Sequence, residues 1–566
     1  MIPYKEGQYW KACYDKNTGI YVARIGWASP QGSENYVYMI PGDVFEVLGT
    51  FDEDNDNEKL IRDMGTLIRR YENTRYGTMG PEETVYDKGL ENIWEDAYKS
   101  IMDDVETLAE KGDKQALSLW LDQSIYLFPD ENGNRQKIQR FLLKGAEIGI
   151  VKAQQKLAKA YLYGSEYGCG IKKDVAKALF WYDKITKQVP AKEQYDVAVL
   201  YYEGNGIAQN YEKAAQWFAR AAEQRHAEAQ NYLGYCYQYG QGVGKDIDKA
   251  AYWYLEAAKK GNMNAQFNLG VFYENGYGVK KDYEEALSWY TKAAKQGLLI
   301  AKRALGERYY WGEIVGKNYD KALNWFTEAA EKGDAVSQNF VGYFLENGLG
   351  VKRNYAKAVQ WYTKAAKQGH VIAQNNLGLC YELGQGVEQS YEKAVHWYFK
   401  AAEQGNAKAQ CSMGCCYENG QGVEKSYEKA VYWYTKAAEQ GNGFAQYNLG
   451  RCYELGHGVE QSYEKAAHWY SKAAEQGDAD AQNNIGTCYE DAKGVEQSYE
   501  KAVYWYTKAA EQEEPYAQCN LGSCYEEGKG VVQNIEKAIY WYSKAAKQGH
   551  AKAKSNLERL NNQTGK

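Results

Sequence analysis

Thiols and imidazoles are the most reactive side chains this 566-residue chain offers, and their placement argues for packing over catalysis. All six histidines lie between residues 226 and 550; His226, His370 and His550 share one register of a recurring pattern, and His396 and His468 share another. Residues of like register stand whole repeats apart, too far to share a metal or act as a catalytic pair, so they read as surface polar groups. Cys236, Cys380, Cys416, Cys452, Cys488 and Cys524 fill one register on the apolar side of a helical pattern, where a reduced thiol serves as a small hydrophobe. Cys411 and Cys415 stand one helical turn apart on an outward face, a spacing that suits a soft metal but supplies only two ligands. Reduced, structural cysteine is the reading adopted. The G-Q-G and G-Y-G tripeptides follow helical segments and lack the lysine or the βαβ setting of a phosphate loop. Residues 1–100 hold no histidine and one cysteine, Cys13, which excludes a Cys–His nucleophile there. The acidic run Asp52, Glu53, Asp54 and Asp56 reads as a solvated loop and helix start, not a cation or acid–base site. No catalytic, cofactor-binding or metal-ligating residue is therefore assigned.

The elements that hold these side chains repeat. Eleven of the 16 tryptophans, Trp181, Trp217, Trp253, Trp289, Trp325, Trp361, Trp397, Trp433, Trp469, Trp505 and Trp541, recur every 36 residues. One unit, from Ala409 to Phe444, contains two segments of helical period separated by glycine-bearing turns, which predicts an antiparallel helix pair. In its second helix Tyr427, Ala430, Val431, Tyr434, Ala437 and Ala438 make an apolar face that Trp433 widens. Position 426 and its equivalents Asp174, Asn210, Asp246, Asp282, Asn318, Asn354, Ser390, Ser462, Ser498 and Asn534 are N-cap residues, able to accept from the orphan N–H groups of a first turn. Gly441 and its equivalents close the helix with positive φ, Arg225 and Glu513 being the departures. In the first helix Ala409, Met413, Gly414, Cys416 and Tyr417 cluster on one side, while positions 411, 415 and 418 are expected to point away. The mid-helix glycine predicts a close approach by a neighbouring helix. Gly420 and Gly422 make the tight turn.

One such pair cannot bury its own apolar face, but stacked pairs bury a continuous core, so the fold class is mostly α, an α-solenoid of about eleven to twelve 36-residue repeats. Strict spacing begins at Trp181; Phe141 takes the equivalent place 40 residues earlier because the stretch from Gly164 to Gly170 carries a four-residue insertion. Residues 101–149 read as a decayed unit and AKAKSNLERL as a terminal cap without a second helix. At the other end, Ile20 to Trp27 and Tyr36 to Ile40 alternate as strands do, with turns at Asn17-Thr18-Gly19 and Ser29-Pro30-Gln31-Gly32. Three or four antiparallel strands and a helix around Leu60, Met64, Leu67, Ile68 and Tyr71 give a small α+β module, with a tether near Gly77 to Glu83. The domains are thus 1–80, the α+β module; 81–149, a tether helix and degenerate capping repeat; 150–550, the solenoid; and 551–566, a capping helix and tail.

The pattern A-Q-x-x-L-G-x-x-Y-x-x-G-x-G-V followed by Y-E-K-A-x-x-W-Y-x-K-A-A-x-Q-G resembles the Sel1-like repeat, a relative of the tetratricopeptide repeat, over roughly residues 150–560. The resemblance implies a right-handed superhelix whose concave surface docks partners, as in adaptor and scaffold proteins. Departures are Ala198 and Glu558 for the helix glycine, Ile314 and Ala492 for turn glycines, and Ile185-Thr186 for the alanine pair. Cysteine-rich members of the family carry paired cysteines in each repeat, and this sequence does not.

Composition narrows the partners. Residues 1–100 hold 18 acidic and 11 basic side chains, so the whole net charge of −7 sits there and the array is neutral. A neutral array has no counterion-release drive toward nucleic acid or anionic lipid. Mean hydropathy is −0.71, no apolar run approaches the length of a membrane span, and the start MIPYKEGQYW lacks a signal-peptide core; the expectation is a cytoplasmic protein without membrane insertion. The leading expectation is a non-enzymatic scaffold that binds a protein or peptide in its concave groove. Candidate contact residues come from the outward pairs of the first helices, where aromatic and charged side chains interrupt the repeat: Tyr235, Phe267, Val271, Arg303, Glu307, Tyr343, Leu379, Tyr447 and Arg451. An immunity-type protein that wraps and blocks an enzyme is the alternative, and an enzyme with its site in residues 1–100 the remote one.

Overall fold

The computed structural model describes the backbone of residues 103, 105–127, 132–164, 171–313 and 315–564, together with five strands within residues 4–73. It divides into two compact units, Met1–Asn262 and Met263–Lys566. The acidic run 52–58, the tether at 77–83, the insertion at 165–170 and Ile314 lie outside the described residues.

The strands β1 (Tyr4–Glu6), β2 (Trp10–Asp15), β3 (Ile20–Ser29), β4 (Gly32–Ile40) and β5 (Thr66–Asn73) form one antiparallel sheet in chain order. Ser29 pairs with Gly32 and Tyr21 with Ile40, so β3 and β4 lie side by side; Pro30 and Gln31, which the sequence reads as part of a turn, lie outside the described residues. The helix expected through Leu67, Ile68 and Tyr71 is instead β5, paired with β4 from Ser33 to Met39. Three apolar positions within five residues fit a helical face and a strand equally, and the open edge of β4 decides between them.

From Val151 onward the helices pair as the 36-residue period requires. In the unit read above, the first helix spans Ala407–Asn419 and the second Tyr427–Glu439. The predicted N-caps hold: Asn210, Asn354 and Ser426 accept from the N–H of Lys213, Lys357 and Lys429. Gly441 has φ +88°, and Arg225 and Glu513 take the same left-handed place at +65° and +67°. Ala492 likewise ends its helix at φ +56°. A Cβ on Gly422 would stand 2.4 Å from the backbone of Tyr391, so that glycine lets the turn of one repeat rest on the second helix of the repeat before it. Ile185, in place of the first alanine, ends its helix early and a 3₁₀ turn, Thr186–Gln188, follows.

Neighbouring repeats are also tied by amides. The buried Gln410 donates from Nε2 to the carbonyl of Ala402 in the preceding repeat (3.1 Å) and accepts at Oε1 from Gln440 of its own repeat (2.7 Å). The same two bonds recur at Gln374, Gln446, Gln482 and Gln518. A buried primary amide is costly unless satisfied, so each rung fixes the register of two helices at once.

The three histidines of one register, His226, His370 and His550, are helix N-caps and not simply surface groups. Their Nδ1 atoms accept from the N–H of Ala229, Ala373 and Ala553 at 3.2–3.3 Å, a role filled in other repeats by Asp334, Asn406, Asn442 and Asp478. The terminal helix Ala551–Thr564 closes the array, with Leu557 and Leu560 packed against the last pair.

Candidate partner-binding face

The face that could bind is defined by what the packed side consumes. From Gly234 to Gly522 each first helix meets the following second helix at its glycine: a Cβ on Gly414 would come within 2.5 Å of the ring of Tyr434, and on Gly378 within 2.6 Å of Tyr398. The glycine is a seat for a ring. The tyrosine hydroxyl then donates back to the first helix, Tyr434 to Glu418 at 2.7 Å, Tyr290 to Glu274 at 2.6 Å and Tyr506 to Glu490 at 2.7 Å. Position 418 therefore faces inward, against expectation, because the buried hydroxyl needs an acceptor. Two repeats carry phenylalanine as the ring, Phe218 and Phe326, and in both the acid is exchanged for a tyrosine, Tyr202 and Tyr310. Removing the hydroxyl removes the reason for the carboxylate.

The tyrosine, not the tryptophan beside it, is the large fully buried side chain of most repeats. Trp289, Trp361 and Trp397 are half-buried, and the cations of Lys292, Lys364 and Lys400 stand 3.6, 4.0 and 4.9 Å from their ring centroids.

Position 411 turns into the seam between repeats. Cys411 is buried; Phe267 packs 5.5 Å from the ring centre of Tyr290, Tyr447 lies 6.0 Å from that of Tyr470, and Arg303 donates to Asp334 at 3.1 Å. Position 415 reaches the surface: Tyr343 and Leu379 in the second unit and Tyr235 in the first are exposed, while Val271, Glu307 and Arg451 are half-buried. Burial raises the carboxyl of Glu307 against the lowering pull of Arg308 and Arg303. Arg451 lies 3.3 Å from Asn448 Oδ1 and 4.0 Å from Glu418. The nine candidates thus divide between a seam and a stripe.

The stripe has members that the sequence reading passed over. Seven residues before position 415 stand the exposed Ile300, Ile372, Phe444 and Tyr516, and four residues after it Trp311, Leu383 and Leu455. Spacings of four and seven put these on one side of each first helix. The signal was present: both registers vary as widely as the pairs chosen, and their exposure follows once Glu418 and Cys411 are turned inward.

The rest of the candidate chemistry is structural. The nine described cysteines are free thiols. Burial pushes Cys236, Cys380, Cys416, Cys452, Cys488 and Cys524 up to about 12. Among the described residues no three His, Cys, Asp or Glu side chains gather as a metal site requires, and no helix is long and apolar enough to cross a membrane.

With this geometry in place, comparison identifies relatives. The Sel1 repeat profile matches eleven segments between residues 151 and 550, among them 335–370, 371–406, 407–442 and 443–478. A protective antigen of uropathogenic Escherichia coli with an SLR fold is 34% identical, over 75% of this chain and 90% of that one, at a TM-score of 0.65. A Sel1 repeat protein of Oxalobacter formigenes is 38% identical over 54% of this chain and 90% of that one, at a TM-score of 0.46. No curated protein matches the sequence.

Proposed function

Since the chain belongs to the Sel1 repeat family, whose repeats serve as protein-interaction scaffolds, we propose that it is a non-enzymatic adaptor holding a protein or peptide against the exposed stripe of its first helices. The observation that carries this reading is the stripe in the second unit, where Trp311, Tyr343, Ile372, Leu379, Leu383 and Leu455 expose apolar surface. Large apolar side chains aligned on a surface are a cost to a soluble protein unless a partner covers them. The frame beneath is fully committed to packing, which leaves this stripe free to be tuned. We place the adaptor in the cytoplasm, since free thiols in one buried register are the form a reducing compartment maintains.

The test is a quadruple variant, Tyr343→Ala, Leu379→Ala, Leu383→Ala and Leu455→Ala, compared with the parent for binding of a partner copurified from the native host. Hot-spot truncation costs about 2 kcal/mol or more, so affinity should fall by more than roughly thirtyfold while the melting temperature is unchanged. Changing the exposed Lys472 and Lys508 of the second helices should do neither. Undiminished binding by the quadruple variant, with loss of binding on deleting residues 1–100, would assign recognition to the amino-terminal module.

A further inference from the structure

The second unit holds one place where two nucleophiles meet. Cys411 and Cys415 lie one turn apart on the same helix, Cys411 buried and Cys415 half-buried. The Tyr434 hydroxyl stands 3.3 Å from Cys415 Sγ and 2.7 Å from Glu418 Oε2. Cys415, Tyr434 and Glu418 form a chain along which a proton can pass from the thiol through the hydroxyl to the carboxylate, with Cys411 one turn away on the same helix. From these contacts we infer that Cys415 is an oxidation site for hydroperoxides, with Cys411 as the thiol that traps the oxidised sulfur as a disulfide. This inference is independent of the partner-binding proposal.

The contact between position 415 and the tyrosine hydroxyl is not in itself unusual. Thr487 makes it with Tyr506 at 3.1 Å. What is particular to this repeat is that the partner is a thiol and that a second thiol precedes it by one turn. The groups facing Cys415 are Cys411 on its own helix, Tyr434 on the second helix, and the carboxylates of Glu418 and Glu382. The neighbouring Cys411 thiol, and then the hydrogen bond from Tyr434, lower the Cys415 thiol against the opposing pull of burial and of the two carboxylates, whereas burial holds Cys416 next to it up at about 12. The thiolate is the reactive form, so these neighbours differ in reactivity although they are adjacent in sequence.

The Cys415 thiolate attacks one peroxide oxygen; an S–O bond forms, the O–O bond breaks, and the departing oxygen leaves as water or alcohol with the proton released from the thiol. Sulfur is oxidised to the sulfenic acid and the peroxide is reduced. Cys411 then attacks that sulfur; an S–S bond forms, the S–O bond breaks, and hydroxide leaves as water with the Cys411 proton. One-turn neighbours have Cβ atoms about 5–6 Å apart, and a disulfide needs about 3.5–4.5 Å, so the bond forms only if the Cys411–Cys415 turn distorts. Oxidation would thereby act on the helix that presents the stripe at this repeat.

The test uses the full chain, treated with hydrogen peroxide at one equivalent and trapped with a sulfenic-acid-specific label, followed by peptide mass mapping. A Cys411–Cys415 disulfide is expected in the parent, and label on Cys415 in Cys411→Ser, with Cys415 modified at least about tenfold faster than Cys416, Cys452 or Cys488. Tyr434→Phe, which keeps the ring on Gly414, should slow Cys415 severalfold while the variant stays folded at the assay temperature. Equal rates for Cys415 and the buried register, or label remaining on Cys415 in the parent without disulfide, would overturn the proposal; an unaltered rate in Tyr434→Phe would overturn the proton path.

Discussion

A single imidazole shows how a residue can be structural and still respond to its surroundings. His370 caps the helix Val371–Leu383 through Nδ1, which accepts only while it carries no proton, and burial lowers its pKa below the ordinary value. The unfolded chain therefore takes up a proton before the folded one does. The cap contributes fully above about pH 6.5, the unfolded imidazole value, and is lost as pH falls from there through the depressed folded value. His370→Asn places at this position the residue that caps the equivalent helices at Asn406 and Asn442. The variant should melt close to the parent at pH 8 and above it at pH 5, measured by circular dichroism; parallel melting curves across that range would refute the capping role. Glu513 offers a second case, since its φ of +67° is one that only glycine adopts without strain. Glu513→Gly should stabilise by roughly 0.5–1 kcal/mol in urea unfolding. The sequence made the glutamate legible as a departure from a glycine register. It did not make the histidines legible as caps, because imidazole is an uncommon cap and only the depth of the turn reveals that Nδ1 faces a backbone N–H.

At the scale of the helix pair, the period of 36 was carried by tryptophan, but the packing is carried by the tyrosine that follows it. Tyr398 is fully buried on Gly378 and bonds Glu382; Trp397 is half-buried beneath Lys400. Tyr398→Ala should cost about 3–5 kcal/mol, the range for truncating a buried aromatic, and Trp397→Ala clearly less. Equal losses in denaturant titrations would return the tryptophan to the core. Adding a methyl at the seat has the complementary effect: in Gly378→Ala the new Cβ meets ring carbons at 2.6 Å, and the repacking should cost about 1–3 kcal/mol. Helix boundaries, caps and the glycine contact were readable because each is written in one residue of fixed type. Which side of the first helix stays exposed was not, because Glu418 resembles a solvent residue until its bond to Tyr434 is seen. The strand β5 escaped for a related reason, since Leu67, Ile68 and Tyr71 satisfy two periods and the choice belongs to β4.

Within the second unit one joint between repeats is built differently from its neighbours. The amide rung that ties each repeat to the one before it is absent where Lys302 replaces glutamine, and the partner position at Lys332 is also a cation. At the same joint Arg308 occupies the cysteine register and donates to both oxygens of Glu274 in the preceding repeat at 2.9 Å, with Glu307 3.3 Å away. An ionic tie has replaced the neutral one. In stacked repeats stability is a sum of nearest-neighbour terms, so a change at one joint should be felt by the helices on either side and fade beyond them. Glu274→Gln takes from the half-buried Arg308 its carboxylate in the preceding repeat and leaves it Glu307 of its own helix, and bonds to charged groups are worth about 1.5–3 kcal/mol. Native-state hydrogen exchange should then speed up by about tenfold or more in Met263–Asn275 and Leu299–Trp311, since 1.4 kcal/mol is a factor of ten in an opening equilibrium, and stay as it was in Ala407–Asn419 three repeats on. Restoring the rung with Lys302→Gln and Lys332→Gln in that background should recover about 1 kcal/mol, the net worth of one buried amide bond, and slow the same two helices again. Acceleration spread evenly over the unit would mean that it opens as a single cooperative body, and the joint between Gln296 and Lys302 would then have no separate energetic identity.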